Sequence, residues 1–252
     1  MSLPKTPSFR LDGKRALVPG GSRGIGLGCS VALAEQGAHV VIAARSKDQV
    51  DDTVRSIQDA GHSAEGLSLD VTDLDAVKSL MAAGNYDVVC NSAGVARHAA
   101  AMDVTVEDYD FVMDLNVRAA FFLATEAARN MAQRGGGSII QISSQMGHVG
   151  GIDRTVYCGT KHAIEGFNKA MAIEWGPQNV RVNSICPTFI RTPLTAPTFA
   201  NPDRLAWIMD KIKLPRVGEV EDIMGAVAFL ASDASALITG TSILVDGGWT
   251  AG

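Results

Sequence analysis

ALVPGGSRGIGLGCSVALAEQG, residues 16–37, decides how this 252-residue chain is read. Residues 16–19 form a short, mostly apolar run that reads as a buried strand and leads straight into Gly20, Gly24 and Gly26. The small and apolar residues after Gly26 then read as a helix that Gly37 ends. A strand, a glycine-rich turn and a helix start in that order aim backbone N–H groups and the positive end of a helix at an anion. Ser22, Arg23 and Ile25 inside the turn therefore join the three glycines as candidate phosphate contacts. Glycine suits the turn because a Cβ would block close approach of a pyrophosphate. The spacing is G-x-x-x-G-x-G, a departure from the general G-x-G-x-x-G dinucleotide fingerprint.

The same alternation continues outward. HVVIAA (39–44), AEGLSL (64–69), YDVVCN (86–91), SIIQIS (138–143), VRVNSI (180–185) and SILVDG (242–247) read as further strands. Several are continuous apolar runs, as parallel strands covered on both faces require. Helical stretches fill the gaps; one starts at Ser46 as cap, places Val50, Val54 and Ile57 on one stripe and stops at Gly61. With right-handed crossovers the expected fold is α/β, a single-domain, doubly wound, Rossmann-like, seven-stranded parallel sheet flanked by helices over residues 11–252. Residues 1–10, with Pro4 and Pro7, are expected to be a flexible tail. The Pro- and Thr-rich stretch 188–213 is expected to be a substrate loop or lid.

Composition narrows the function. A chain that is 46% hydrophobic and 19% charged can bury one large core. Its net charge of −5 and 22 scattered Lys and Arg offer no basic stripe for nucleic acid. No apolar run approaches the roughly 18 residues of a membrane helix. MSLPKTPSFRLDGK has neither a signal segment nor a lipidation signature, so a cytoplasmic protein without membrane or nucleic-acid partners is expected. Cys29, Cys90, Cys158 and Cys186 are widely spaced without C-x-x-C and read as buried free thiols. His39, His62, His98, His148 and His162 show no ligand spacing, so no metal is expected.

In a dinucleotide fold a carboxylate at the end of the second strand would hold the adenosine ribose. Ala44 occupies that place, with Arg45 just beyond it and Arg23 in the turn. Nothing there repels a 2′-phosphate and two cations attract one, so NADP is favoured, with NAD the alternative and Asp48 its only support. Tyr157 and Lys161 in VYCGTKHAIEGF lie at i and i+4 on one face of a helix, and Ser144 follows the strand at 138–143. A carbonyl reduction needs hydride on carbon and a proton on oxygen. An ammonium one turn from a tyrosine stabilises the tyrosinate that remains, and a serine hydroxyl can hold the substrate oxygen.

From Leu11 to the C-terminus the chain resembles the classical short-chain dehydrogenase/reductase family. Gly20, Gly24 and Gly26 match its cofactor turn, and Asp70-Val71 in LSLDVTD matches its adenine-recognition position. Asn91-Ser92-Ala93-Gly94 resembles its N-N-A-G segment beside the cofactor. Asn116 in MDLNVRAAFF, Ser144 in QISSQMG, and Tyr157 with Lys161 match its catalytic four. Pro187, Ile190 and Thr192 in CPTFIRTP match the segment near the nicotinamide, and the ending LVDGGW is also family-like.

The resemblance implies an NADP(H)-dependent oxidoreductase that interconverts a ketone and a secondary alcohol. Tyr157 would act as general acid/base, and Lys161 would tune it and hold the nicotinamide ribose. Ser144 would place the carbonyl, and Asn116 would position a water that returns protons to Lys161. A homo-oligomer, commonly a tetramer, is also implied, with AAFFLATEAA and LVDGGWTAG as candidate faces. Three departures stand out: Pro19 replaces a Thr, Ser92 replaces the second Asn of N-N-A-G, and Thr188 replaces a Gly, adding a hydroxyl near the nicotinamide. Arg97, His98, Gln145, His148 and Arg154 suit a polar or anionic substrate; Met146, Phe189, Leu194 and Trp207 suit an apolar one. A small polar ketone or polyol is favoured. The alternatives are a 3-oxoacyl thioester, or a non-catalytic NADP-binding sensor or scaffold, against which the four intact catalytic matches argue.

Overall fold

The computed structural model describes residues 1–252. Strands Arg15–Pro19 (β1), His39–Ala44 (β2), Ala64–Ser68 (β3), Val88–Asn91 (β4), Gly137–Ile142 (β5), Val180–Pro187 (β6) and Ser242–Val245 (β7) form one sheet in the order β3-β2-β1-β4-β5-β6-β7. Every neighbouring pair is parallel. The seven expected strands are all present, with shifted ends. β4 begins at Val88, although the Asp87 backbone already bonds Arg15 O at 2.8 Å and Ser138 N at 2.9 Å. β7 stops at Val245, where Asp246 turns the chain by accepting the N–H groups of Gly248 and Thr250.

Successive strand residues point to opposite faces, and here both faces are apolar. Ala16, Val18, Val40 and Ile42 pack beneath Gly24–Glu35 (α1), Lys47–Asp59 (α2) and, near the C-terminus, Glu221–Ala231, through Leu33, Ile57 and Val227. Leu17, Val41, Val89 and Ile139 pack the other way. They meet Leu74–Ala83 (α3) and two later helices, Ala120–Gln133 and Thr155–Trp175, through Val77, Leu123 and Met171. Each fully buried aliphatic side chain contributes about 1.5–3 kcal/mol, so uninterrupted apolar runs are what a doubly covered sheet selects.

Val106–Met113 (α4) leads through a π-helical turn at Asp114–Ala119 into Ala120–Gln133 (α5), and Thr155–Trp175 is α6. The segment 188–213 contains Ala196–Phe199 (α7) and Pro202–Lys211 (α8), and Glu221–Ala231 is α9. Ser46 sits at the N-cap of α2 as expected, but its side chain makes no capping bond. Residues 1–10 contain no helix or strand. Their end is nevertheless held: Phe9 meets Phe229 at 6.1 Å and the Arg10 guanidinium donates to Glu35 O at 3.0 Å. No helix is long and apolar enough to cross a membrane, and all four cysteines are buried free thiols.

The strand order places the site. β1, β2 and β3 progress towards one edge, whereas β4 returns to the opposite flank of β1. Loops leaving the C-terminal ends of β1 and β4 therefore diverge and bound a crevice, the usual ligand position in such sheets.

Candidate active site

The glycine turn forms one wall of the crevice. Gly20 has φ +75°, and a Cβ on it would lie 2.8 Å from Ala93 N; a Cβ on Gly26 would collide with the Gly20 carbonyl. These two glycines let the turn cross itself and β4, whereas Gly24, at φ +54°, faces open space bounded by Thr192 Cγ2 at 3.5 Å. Only Gly24 thus meets the steric reason offered for the turn. Ser30, which the motif does not single out, ties the turn to α1 by donating to Gly21 O and Gly26 O at 3.1 Å each. Pro19 is tolerated because it ends its strand: its carbonyl accepts Ser92 N at 2.9 Å, and Gly20 N resumes the ladder to Ala43 O at 2.7 Å.

The remaining cofactor candidates line the same strand ends. Ser22 is buried, and its carbonyl accepts the Thr53 hydroxyl at 3.1 Å. Ile25 is half-buried against the core. Arg23, in the turn, and Arg45, next to Ala44 in the chain, are both exposed, and neither has an ion-pair partner. Asp70 accepts the Thr72 N–H and hydroxyl at 3.0 and 2.7 Å; these bonds, with Arg45 nearby, hold its carboxyl below the usual carboxylate range. Val71 is buried against the core. Asn91 bridges Gln141 Oε1 at 2.9 Å and Ala93 N at 3.1 Å, which fixes the loop leading to Gly94. Pro187 ends β6, and Thr192 is held by Thr195. The Ile190 side chain points into the core, so it can meet a ligand only through its backbone.

Atoms of the crevice itself fit a dinucleotide. Thr188 Oγ1 is buried without a partner, Gly24 opens onto free space, and Arg23 in the turn and Arg45 after β2 are exposed and unpaired, so both are free to meet a phosphate.

Lys161 and Tyr157 lie one turn apart in α6, with Lys161 Nζ 5.5 Å from the Tyr157 ring centroid. Lys161 is only 7% exposed and has no carboxylate partner; its one protein acceptor is Ile142 O at 3.0 Å. An ammonium carries three donors, so two remain for other partners. A Cβ on Gly94 would lie 3.9 Å from Nζ and 3.4 Å from Asn116 Oδ1, so these three residues meet at one point. The Ser144 loop lies on the same turn of α6, since a Cβ on Gly147 would be 3.1 Å from Lys161 O. Ser144 Oγ accepts Met146 N at 3.1 Å, which leaves its own proton free to donate.

Asn116 sits in the π-helical turn, and its side chain is already committed. Oδ1 accepts Val95 N at 2.8 Å, Nδ2 donates to Val95 O at 2.8 Å, and Nδ2 also reaches Thr160 Oγ1 at 3.3 Å. Both amide protons are therefore spent on the protein. Such π turns cluster at functional sites because the extra residue re-aims a side chain.

The family model described as enoyl-(acyl carrier protein) reductase matches residues 20–250. L-xylulose reductase of Bos taurus is 36% identical over 245 residues, covering 96% of this chain and 99% of that one. The crystal structure of a gluconate 5-dehydrogenase from Burkholderia cenocepacia J2315, in complex with NADP and tartrate, has a TM-score of 0.93 at 32% identity, covering 97% of this chain and 98% of that one. A short-chain type dehydrogenase/reductase from Mycobacterium ulcerans gives the same TM-score at 32% identity, covering 96% of this chain and 91% of that one. The chain belongs to the short-chain dehydrogenase/reductase family. It is an oxidoreductase acting on CH–OH groups.

The substrate side of this dehydrogenase/reductase separates the residues that sequence alone leaves equal. Arg97 is turned away, paired with Asp108 and stacked 4.1 Å over the Phe111 ring. His98 meets Tyr157 edge-on at 6.1 Å, and Arg154 stands 5.3 Å from the Phe189 ring. Phe189, Trp207 and Trp249 form an aromatic wall with centroids 5.1–6.3 Å apart, and Met146 is buried behind it, whereas Leu194 is exposed. Gln145 is buried with Oε1 unpartnered. His148 faces inward to Glu165 at 3.8 Å. The ligand atoms of His148, Glu165 and Cys186 fall within 4.8 Å of one another, a proximity hidden from sequence spacing. Glu165 is already satisfied there by donors from Ser184, Ser242 and Cys186, and burial beside that carboxylate pushes the Cys186 thiol up to about 12.

Proposed function

We propose that the protein interconverts a small polar ketone, or the ketose of a polyol, with its secondary alcohol, using NADP(H) and Tyr157 as general acid/base. The observation that carries this reading is a buried Lys161 ammonium with two donors unspent, one turn from Tyr157 and bonded to Ile142 O just before Ser144, whose hydroxyl keeps its own proton free. Bound NADPH supplies a hydride to the carbonyl carbon. Ser144 donates to the carbonyl oxygen and Tyr157 delivers the proton. Lys161 stabilises the tyrosinate left behind and holds the nicotinamide ribose. Asn116 acts through Val95, fixing the backbone beside Lys161 where a water returns the proton.

Gly20, Ser22, Arg23, Gly24, Ile25 and Gly26 cradle the pyrophosphate end, and Asp70 and Val71 meet the adenine. Asn91, Ala93, Gly94, Pro187, Ile190 and Thr192 flank the nicotinamide half. The NADP preference is supported by the unpaired Arg23 and Arg45 and by the NADP named in the Burkholderia structure. The polar substrate is supported by relatives named for gluconate and L-xylulose. Segment 188–213 closes over the substrate of this single catalytic unit, which works in the cytoplasm as a homo-oligomer. Phe111 and Phe122, exposed on α4 and α5, offer an association face that light scattering tests.

A panel of ketoses, sugar keto acids and 3-oxoacyl thioesters with NADPH and NADH tests the reaction. NADPH oxidation with the polar ketones is expected; no turnover with any member would refute the reading.

A further inference from the structure

Two arginines near the proposed proton donor lack counter-charges. Arg154 opens the first turn of α6, three residues before Tyr157, and that turn holds no acidic residue. Its guanidinium is half-buried over Phe189, bonds only Ile152 O, at a long 3.4 Å, and joins no ion pair. Arg204, three residues before Trp207 on α8, is also unpaired, and Trp207 meets the same Phe189 ring at 6.3 Å. His98 completes the group: Ala99 N donates to Asp153 O at 3.2 Å, joining the His98 and Arg154 loops.

Asp153, the residue that sets the direction of Arg154, is one of two non-glycine residues with positive φ (59°). Such backbone conformations are uncommon and concentrate at functional sites. Half-burying a guanidinium without a partner is unfavourable unless an anion arrives to compensate it. Burial and Arg204 both press the Arg154 proton affinity down, and burial, then Arg154 and Arg204, do the same to His98, which stays a neutral hydrogen-bonding group at pH 7. Asp153 is the only carboxylate offsetting them, after Tyr157 and Cys158 in the case of Arg154, and it makes no ion pair with either arginine.

We propose that Arg154, with Arg204 closing from α8 and His98 beside Tyr157, forms a carboxylate-binding subsite, so that the substrate is a hydroxy or keto acid of the sugar-acid type. The proposal rests on the reading of Tyr157 as the reacting centre and names the charge of the molecule that it reduces. Arg154 and Arg204 are specificity-determining residues: they hold the acid end while the carbonyl meets Ser144 and Tyr157.

The test uses two readouts on the full-length protein with NADPH. Calorimetric titration compares D-gluconate and D-xylonate with neutral sorbitol and xylitol; steady-state kinetics compares a 5-keto aldonic acid with the neutral ketose of equal length. The wild type is expected to bind the aldonates and not the polyols, and to prefer the keto acid by about tenfold to hundredfold, as expected of a charge-assisted contact. Arg154→Gln should raise KM for the keto acid by a similar factor with a small change in kcat, and Arg154→Lys should restore part of it. Arg204→Gln, at an exposed position that folding does not need, should weaken aldonate binding to a lesser degree. Equal handling of acids and neutral analogues, or aldonate binding unchanged in both glutamine variants, would overturn the subsite. Aldonate binding lost in Arg154→Gln while no carbonyl compound is ever reduced would uphold the subsite and sink the reductase reading instead.

Discussion

Replacing Asn116 by alanine tests whether its amide is a structural tie as well as a catalytic match. The substitution removes three hydrogen bonds and leaves both polar groups of the Val95 backbone without partners. A net bond is worth about 1 kcal/mol, and an orphaned buried group adds about 1–3 kcal/mol. Val95 is only part-buried, so water offsets some of that penalty. The expected loss is ~3 kcal/mol. With a urea dependence of about 3 kcal/mol/M for a chain of this size, the unfolding midpoint should fall by about 1 M, read by tryptophan fluorescence. Asn116→Asp keeps an acceptor for Val95 N and should lose less. Turnover should fall in both variants, because the backbone beside Lys161 relaxes. A midpoint within about 0.2 M of wild type in Asn116→Ala would refute the tie and leave water positioning as the residue's only role.

Three further outcomes follow from the geometry. Arg45→Asp removes a cation and adds a carboxylate where the adenosine ribose is expected, so the NADPH-to-NADH ratio of kcat/KM should fall about tenfold to hundredfold; a wild type that already prefers NADH would contradict the assignment. Arg216, forked onto Asp222 at 2.5 and 2.7 Å, holds that carboxyl down at about 2. A depressed carboxylate stabilises the fold above its unfolded pKa of about 4 and loses that contribution as pH falls towards 2. Asp222→Asn should therefore cost ~1 kcal/mol at pH 7, with the two proteins converging near pH 2; a gap that persists at pH 2 would refute it. All four cysteines are buried, and burial raises the Cys158 and Cys186 thiols. An aromatic disulfide at pH 8 should react with none of them in the native protein and with all in guanidinium, and rapid native labelling would contradict this burial.

The sheet was legible because its signal is local. Each strand is a short apolar run, and each turn carries glycine where a positive φ or a close crossing demands it, as at Gly20. Tyr157 and Lys161 were legible for the same reason, since four residues of helix put them on one face. What sequence could not display is tertiary. Arg97 and Arg154 look alike in the chain, yet Asp108, eleven residues on, neutralises the first and nothing neutralises the second. Glu165 meets Ser184, Cys186 and Ser242 only because β6 and β7 lie side by side. The π-helical turn at Asn116 spans only Asp114–Ala119, and the phase shift that its extra residue makes between α4 and α5 is too short a signal to stand out from two separate helices. Ser46 shows the converse failure: a residue well suited to capping stands at the right position without making the bond.

Tyr157→Phe is the most direct test of the central claim, because it deletes only the hydroxyl that delivers the proton. Measured with NADPH and the best substrate of the panel, kcat should fall at least about a hundredfold, as loss of a general acid predicts, while NADPH affinity stays within twofold to threefold. Turnover close to wild type in that variant would contradict the account.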